Sequence, residues 1–358
     1  MNNVAYLLVL HSVDGLGPVR LKKVLDHFGQ ARNAWEAKGS ELLGMGIPQN
    51  TVEKFLATRK NLDPEKYLTS VQKSGIKWKT IFDEDYPYLL KQIYDPPILF
   101  YYWGEFTAAD RKAIAVVGTR KMTGYGKLVT ERFTENLVLA GLTIVSGLAR
   151  GVDSIAHRTA LKNGGRTIAV LGGGFNKIFP PENDKLAKEI AEGHGVVLSE
   201  FPPDCPSVAG NFPARNRIIS GLTQATLVTE AAVDSGSLIT ARLALEQGRE
   251  VFAVPGPITS ELSRGPLDLI KEGARPIFEP SEILEELGIT GKAQSPVEIT
   301  DLTEVEKQIL NILQNDQKHI DEICQILGVP VAGISGELLK MEIKGLIRNL
   351  GAGIYCGN

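Results

Sequence analysis

Two segments of the sequence combine glycines with a basic residue, which is a combination that can bind phosphate. Val117-Gly118-Thr119-Arg120 lies between a strand-like run and a helix-like run. Glycines there let backbone N–H groups approach a phosphate, and Arg120 can donate a forked pair of hydrogen bonds to its oxygens. Gly172–Asn183 begins with three glycines and places Lys177 between two phenylalanines. A cation beside aromatic rings is typical of sites for single-stranded nucleic acid, and Phe179 is the predicted stacking residue.

Three further segments carry polar groups of the same kind. Ser146-Gly147 ends a strand-like run and opens a loop before a helix. The run Arg215-Asn216-Arg217 is predicted to stand just before an apolar helix, where two arginines can neutralise phosphates. Ser235-Gly236 precedes another helix, whose first amides can also hold a phosphate. A structural or loop-ordering role, a solvated basic face and simple helix capping are the respective alternatives for these three segments, and a merely structural glycine turn is the alternative for Val117–Arg120.

One pair of residues invites a catalytic interpretation. Asp153 and His157 are spaced i, i+4 and therefore share a helix face, with Ser146 nearby as a nucleophile. The sequence lacks the Gly-x-Ser-x-Gly elbow that such a nucleophile requires, and an Asp at a helix start is an ordinary cap. We therefore predict a structural role for the pair, and no catalytic residue, cofactor or metal.

The elements that must position these loops alternate between strands and helices. Six short apolar runs read as strands, and helical stretches separate most of them; the strands are predicted at Ala113–Val117, Thr143–Ser146, Thr167–Leu171, Val196–Ser199, Ala225–Thr229 and Val251–Val254. This alternation predicts an extended Rossmann-like α/β domain with a doubly wound parallel sheet over residues 81–288. Binding sites in such sheets lie at the carboxyl ends of the strands.

The predicted sheet domain is flanked by two smaller modules. Residues 1–80 read as short helices broken by Gly and Pro, and Gly15-Leu16-Gly17-Pro18 resembles the turn of a helix-hairpin-helix or SAM-like module. Residues 289–300 read as a linker. Residues 301–358 show three helical stretches and then a short strand pair, the order of a winged helix.

Composition narrows the class of protein. The chain has 358 residues and a net charge of −3, so a nucleic-acid site must be a local cluster of cations. Three widely spaced cysteines match neither a disulfide framework nor a zinc motif. The sequence shows neither a signal peptide nor an apolar run long enough for a membrane span. These features predict a cytoplasmic protein without membrane contact.

The loops taken together resemble the DprA (Smf) family. Ser146–Asp153, Gly172–Asn183, Glu200-Phe201-Pro202-Pro203, Asn211–Leu222 and Ser235–Gly256 occur in the order and style of that family. The resemblance implies an extended Rossmann core without catalysis that binds single-stranded DNA, forms a homodimer and loads the RecA recombinase during natural transformation. It also implies a phosphate-binding pocket made of side chains and of backbone groups, namely Arg120, Lys177, Arg215 and Arg217 with Gly118, Ser146, Gly147 and Gly236.

Two hypotheses concern the later parts of the chain. The apolar run within residues 262–277 is predicted to pack against a copy of itself in a homodimer. Residues 298–358 carry 5 basic and 9 acidic side chains, and this balance opposes phosphate contact. We therefore expect the C-terminal module to contact protein, so that its deletion leaves the affinity for single strands within a few fold.

Two other functions remain open at this stage. A Rossmann-like phosphoribohydrolase would also carry glycine-rich loops, but Gly172–Asn176 lacks the Thr and Glu of the loop found in those enzymes. Hydrolysis of AMP would identify such an enzyme. A protein-contact adaptor would show no salt-dependent binding to single strands.

Overall fold

A computed structural model describes residues 3–289, 302–313, 316–343 and 346–357. The chain divides into two compact units, Met1–Ala293 and Gln294–Asn358. Each unit is described by itself. The predicted linker at 289–300 falls outside the described residues, apart from Ile289.

Within the described residues of the first unit, nine strands form one sheet. They are β1 (Lys77–Thr80), β2 (Leu99–Gly104), β3 (Ala113–Val117), β4 (Thr143–Ser146), β5 (Thr167–Val170), β6 (Gly195–Ser199), β7 (Ala225–Val228), β8 (Glu250–Ala253) and β9 (Arg275–Pro276). Their order is β1-β2-β6-β5-β4-β3-β7-β8-β9. All neighbours from β6 to β9 are parallel, whereas β2 is antiparallel to both β1 and β6. The predicted parallel α/β sheet is confirmed, and β1, β2 and β9 extend it beyond the six predicted strands.

The helices of this unit form the segment before β1 and connect the strands of the sheet. They are α1 (Asn3–His11), α2 (Pro18–Phe28), α3 (Ala31–Glu36), α4 (Gly39–Gly44), α5 (Gln49–Asn61), α6 (Pro64–Lys73), α7 (Tyr88–Lys91), α8 (Gly124–Leu139), α9 (Val152–Lys162), α10 (Asp184–Glu189), α11 (Asn211–Gly221), α12 (Gly236–Glu246), α13 (Glu261–Lys271) and α14 (Pro280–Glu286). Several begin at the expected signals. Thr123 caps α8, Ser235 caps α12, and Asp63 followed by Pro64 begins α6. Among the described residues, none of these helices or those of the second unit is both long and apolar enough to cross a bilayer.

The N-terminal helices share a hydrophobic core with one face of the sheet. Leu8 and Leu10 of α1 belong to the same buried cluster as Leu99 and Tyr101 of β2. The predicted boundary between residues 80 and 81 falls at the end of β1, which pairs with β2 in the sheet. The helical segment is thus packed on the sheet through apolar contacts within one compact unit.

The strand order places the predicted loops along one edge. β3 lies between β4 and β7. The chain continues from β3 to β4, β5 and β6 on one side of it, and then returns to β7 on its other side. Loops that follow β3, β4, β5 and β7 therefore meet at the carboxyl edge of the sheet, beside this switch in strand order.

The second unit has the winged-helix order that the sequence predicts. It consists of α15 (Glu304–Leu313), β10 (Lys318–His319), α16 (Ile320–Leu327), α17 (Val331–Ile343), β11 (Ile347–Gly351) and β12 (Ile354–Gly357). Its strands form an antiparallel sheet in the order β10-β12-β11. Buried Ile309, Ile323 and Leu338, one from each helix, lie in its core.

Candidate nucleic-acid interface

A buried carboxylate organises the loop after β3. Glu230, two residues beyond β7, accepts hydrogen bonds from the backbone N of Thr123 at 2.9 Å and from its Oγ1 at 2.6 Å. A Cβ on Gly126 would overlap the same carboxylate. The start of α8 is therefore occupied by a negative group of the protein itself. In dinucleotide-binding sheets a phosphate takes that place, so a phosphate here must bind elsewhere along the edge.

The predicted phosphate-binding glycine of this loop is a packing residue. A Cβ on Gly118 would lie 2.6 Å from Val152 Cγ2 and 2.7 Å from the carbonyl oxygen of Glu230. Gly151, with φ of 75°, approaches the carbonyl of Thr119 from the next loop. The loops after β3 and β4 thus lie in close contact, and only glycine allows this approach.

Asp153 fixes the loop after β4. Its Oδ2 accepts hydrogen bonds from the backbone N of Gly147 at 3.1 Å and of Ala149 at 3.3 Å. The Ser146 hydroxyl is buried and donates to the carbonyl of Val116 at 2.7 Å. The polar groups of Ser146 and the N–H of Gly147 are therefore engaged inside the protein, contrary to the expectation that they face a phosphate.

Arg215 lies inside α11, and not before a helix as the sequence predicts. Its Nη1 donates to the carbonyl of Gly147 at 2.7 Å and to the carbonyl of Val170 at the end of β5. Burial lowers the pKa of this guanidinium to about 10, while the charge of Asp153 acts in the opposite direction. Arg215 therefore ties the carboxyl ends of two strands together.

Arg217 is neutralised by two carboxylates. Its Nη2 lies 2.7 Å from both carboxylate oxygens of Glu200, and its Nε lies 3.0 Å from Asp95 Oδ2. Both Arg217 and Glu200 are buried, and burial raises the pKa of Glu200 while Arg217 opposes the rise. The expectation that Arg217 neutralises phosphate does not agree with this geometry, because its charge is already paired.

The three glycines after β5 allow close packing. A Cβ on Gly172 would lie 2.7 Å from the ring of Phe212, and the backbone N of Gly174 donates to the carbonyl of Cys205 at 2.8 Å. This loop is therefore packed against the segment that follows β6. Its exposed part begins only beyond the glycines, at Asn176 and Lys177.

Exposed cations and aromatic rings gather where these loops meet. The guanidinium of Arg120 lies 5.3 Å from the ring centroid of Phe212, and that of Arg150 lies 5.9 Å from the ring of Phe179. The two rings are 6.0 Å apart, and Lys177 is exposed two residues before Phe179. Such a cluster can hold phosphates through its charges and bases through its rings.

Two members of this cluster were not predicted from the sequence. Phe212 is the second residue of α11 and contacts residues of two other loops, and Arg150 belongs to the loop after β4. An aromatic residue within the arginine-rich segment was the signal available for Phe212. Its partnership with Arg120 depends on loops that lie far apart in the chain.

The remaining predicted residues join α11 to α12. Asn216 donates to the carbonyl of Gly236 at 3.1 Å and accepts from Arg215 Nε at 3.2 Å. Ser235 caps α12, and its hydroxyl lies 2.8 Å from that of Ser237. Gly236 is exposed, with open space around its Cα. Of this group, Gly236 is thus the residue whose backbone a ligand can approach.

Asp153 and His157, the acid–base pair considered from sequence, make hydrogen bonds to different partners. Asp153 is bound to backbone amides, while His157 Nδ1 lies 2.7 Å from Thr167 Oγ1. Burial, assisted by the positive charges of Arg215 and Arg158, lowers the pKa of His157 to about 3. The imidazole is therefore neutral at physiological pH and contributes to packing between α9 and β5.

Comparison with known proteins decides the family. The family model described as DNA recombination-mediator protein A matches residues 77–288, and that of the DprA winged helix domain matches residues 293–353. The chain belongs to the DprA family.

Relatives support this membership along the whole chain. The protein Smf of Synechocystis is 36% identical over 382 residues, which cover 96% of each chain. The crystal structure of DprA from Streptococcus pneumoniae matches with a TM-score of 0.70 at 36% identity, covering 80% of this chain and 98% of that one. A Helicobacter pylori DprA structure, described as showing the single-stranded DNA binding mode of that protein, matches at 32% identity with a TM-score of 0.53, covering 59% and 95%.

Proposed function

We propose that the protein binds single-stranded DNA at the carboxyl edge of its sheet, protects incoming DNA and loads the RecA recombinase during natural transformation or recombination. In this proposal the binding surface consists of Arg120, Lys177, Phe179 and the backbone of Gly236, and we add Phe212 and Arg150 because they lie beside these residues. We propose no catalytic step at this edge. Arg215, Asn216 and Arg217 hold the loops in place and are not assigned to the DNA.

The cluster of exposed cations around the exposed ring of Phe179 and the half-buried ring of Phe212 is the observation that carries this proposal. Arg120 and Lys177 come from two different loops, and Phe179 and Phe212 lie beside them. Arg150, from a third loop, lies over Phe179 and is also ion-paired with the exposed Glu182. Binding of a single strand requires both charges for the backbone and exposed rings for the bases. The DprA of H. pylori supports the same ligand, since that relative has a single-stranded DNA binding mode of its own.

Fluorescence anisotropy with labelled oligo-dT tests the proposal. Arg120→Ala plus Lys177→Ala removes two cations from the cluster. Each phosphate contact contributes about 0.7 to the slope of log affinity against log salt for single strands. We therefore expect the variant to bind more weakly and its slope to be smaller by about 1.4.

A matched control lies at the opposite edge. Arg111 and Lys112 are exposed and immediately precede β3, whereas Arg120 follows it. Arg111→Ala plus Lys112→Ala makes the same change of charge and should leave affinity and slope unchanged. Equal losses in both variants would mean that only net charge matters. If the wild type prefers duplex or does not bind at moderate salt, the DNA function is wrong and AMP hydrolysis is the next assay.

We also propose that a homodimer forms through residues 262–277. Leu267 and Ile270 of α13 are only half-buried in the single chain. Two DNA sites in one dimer would raise affinity for a long strand through effective concentration. Sedimentation at tens of micromolar should show a dimer, and Leu267→Glu should shift it to monomer. A wild-type monomer at that concentration contradicts the dimer.

A further inference from the structure

A further aromatic ring is exposed on the loop that carries Arg120. Tyr125 is 42% exposed, the same fraction as Phe179 of the proposed DNA site. Every residue from Arg120 to Tyr125, except the half-buried Met122, is exposed, and Lys121 adds a second cation to this stretch. The ring and the proposed site are therefore joined by an uninterrupted stretch of exposed chain.

This loop runs along the carboxyl edge of the sheet. At one end Arg120 lies over the ring of Phe212, and a Cβ on Gly151 in the loop after β4 would lie 2.8 Å from the Arg120 Cα. At the other end the Tyr125 hydroxyl donates to the carbonyl of Pro255, in the loop after β8, at 2.8 Å. Because β4, β3, β7 and β8 are parallel neighbours, the loops that follow them lie at the same edge. Arg120 thus lies toward β4, and Tyr125 lies toward β8.

The Tyr125 ring is held in place by the loop after β8. Besides the hydrogen bond to Pro255, a Cβ on Gly256 would lie 3.7 Å from the ring carbon Cε1. A ring that is already fixed loses little conformational entropy when a base stacks on it. Burial, assisted by the negative charge of Glu230, raises the pKa of Tyr125. The hydroxyl is therefore neutral at physiological pH and does not repel phosphate.

We propose that Tyr125 is a further stacking residue for single-stranded DNA, and that the strand continues from the cluster at Arg120 past Lys121 to this ring. Lys121 contacts a phosphate between the two positions, and Tyr125 stacks on a base. The Cα atoms of Arg120 and Tyr125 are five residues apart and thus separated by at most about 18 Å, so one strand reaches both. This inference rests on the proposed function.

Fluorescence anisotropy with an oligo-dT of about 16 nucleotides tests the role of the ring. Tyr125→Ala should weaken binding about five-fold or more. The salt slope should stay that of wild type, because stacking on a ring releases no counterions. Tyr125→Phe keeps the ring and loses only the hydrogen bond to Pro255, so its affinity should be close to that of wild type. Lys121→Ala should reduce the slope by about 0.7.

Tyr88 provides a matched control at the other edge of the sheet. It is 72% exposed on α7, and the carbonyl of the adjacent Leu89 accepts a hydrogen bond from Arg249, the residue before β8. This contact places α7 at the amino edge. Tyr88→Ala makes the same change of side chain as Tyr125→Ala and should leave the affinity unchanged.

Crosslinking gives a readout that needs no variant. An oligomer of about 16 nucleotides that contains 5-iododeoxyuridine should crosslink to Tyr125 of the wild-type protein on irradiation. Wild-type affinity in Tyr125→Ala, or crosslinks at Phe179 and Phe212 without one at Tyr125, overturns the proposal. An equal loss in Tyr125→Phe and Tyr125→Ala also overturns it, since Tyr125 then only holds the loop. If the wild type does not bind the oligomer, the proposed function itself fails.

Discussion

Replacement of Arg217 distinguishes a structural arginine from a DNA-binding one. Arg217→Met removes the positive charge but keeps most of the apolar stem. It leaves Glu200, with a side chain only 8% exposed, without its partner, whereas Asp95 at 32% can be partly solvated. An uncompensated buried charge costs about 3–5 kcal/mol of folding stability. For a unit of this size that loss corresponds to a decrease in Tm of roughly 6–10 °C.

The pH dependence of the loss identifies its origin. Burial already raises the pKa of Glu200, and Arg217→Met removes the positive charge that opposes the rise. A carboxyl group whose folded pKa exceeds its unfolded value destabilises the protein increasingly as pH rises through that interval. The difference in Tm between wild type and variant should therefore be small near about pH 4.5 and largest near about pH 8. Arg217→Met combined with Glu200→Leu should recover much of the lost stability at about pH 8.

Thermal denaturation monitored by circular dichroism measures these differences in Tm. Fluorescence anisotropy at a temperature well below Tm measures DNA binding by the folded variants. If Arg217 is structural, the salt slope of Arg217→Met equals that of wild type. A slope smaller by about 0.7, together with an unchanged Tm, would refute the reasoning and return Arg217 to the DNA site.

Two further predictions concern the loops and the buried imidazole. Gly126→Ala forces a Cβ into Glu230 and should cost about 1–3 kcal/mol in urea unfolding, and it should also weaken DNA binding by displacing the loop; Gly124→Ala, in open space on the same helix, should be neutral or slightly stabilising. His157 has its pKa lowered to about 3 by burial, so the folded state binds fewer protons than the unfolded one and stability falls as pH decreases from about 6.5. Between about pH 7 and pH 5 this loss should be about 2 kcal/mol, and His157→Gln should flatten that part of the pH profile of unfolding.

The sequence predicts most of the sheet because its signals are local. Runs such as Ile114 to Val117 are short, apolar and followed by glycine, and two of the helices between the strands, α8 and α12, begin at Thr and Ser caps. β2 was not predicted, although its aromatic residues favour a strand. β9 contains two residues, too few for a periodic pattern.

The edge that carries the candidate site also follows from sequence alone. Parallel strands bring the loops after β3 and β5 to one side, whatever their side chains are. Exposed Arg120 and Lys177 were found in this way, as polar residues in glycine-rich loops. Their position therefore depends on chain topology, which the alternation of strands and helices determines.

Only the tertiary structure decides which arginines are available to a ligand. Arg215 and Arg217 are close neighbours in sequence, but residues two apart on an α-helix point in directions about 200° apart. One meets the carbonyl of Gly147, and the other meets Glu200 and Asp95, a residue distant in the chain. Burial and pairing of a charge are set by such distant residues. The sequence therefore determines which basic residues are present, while the fold determines whether their charges remain available for DNA.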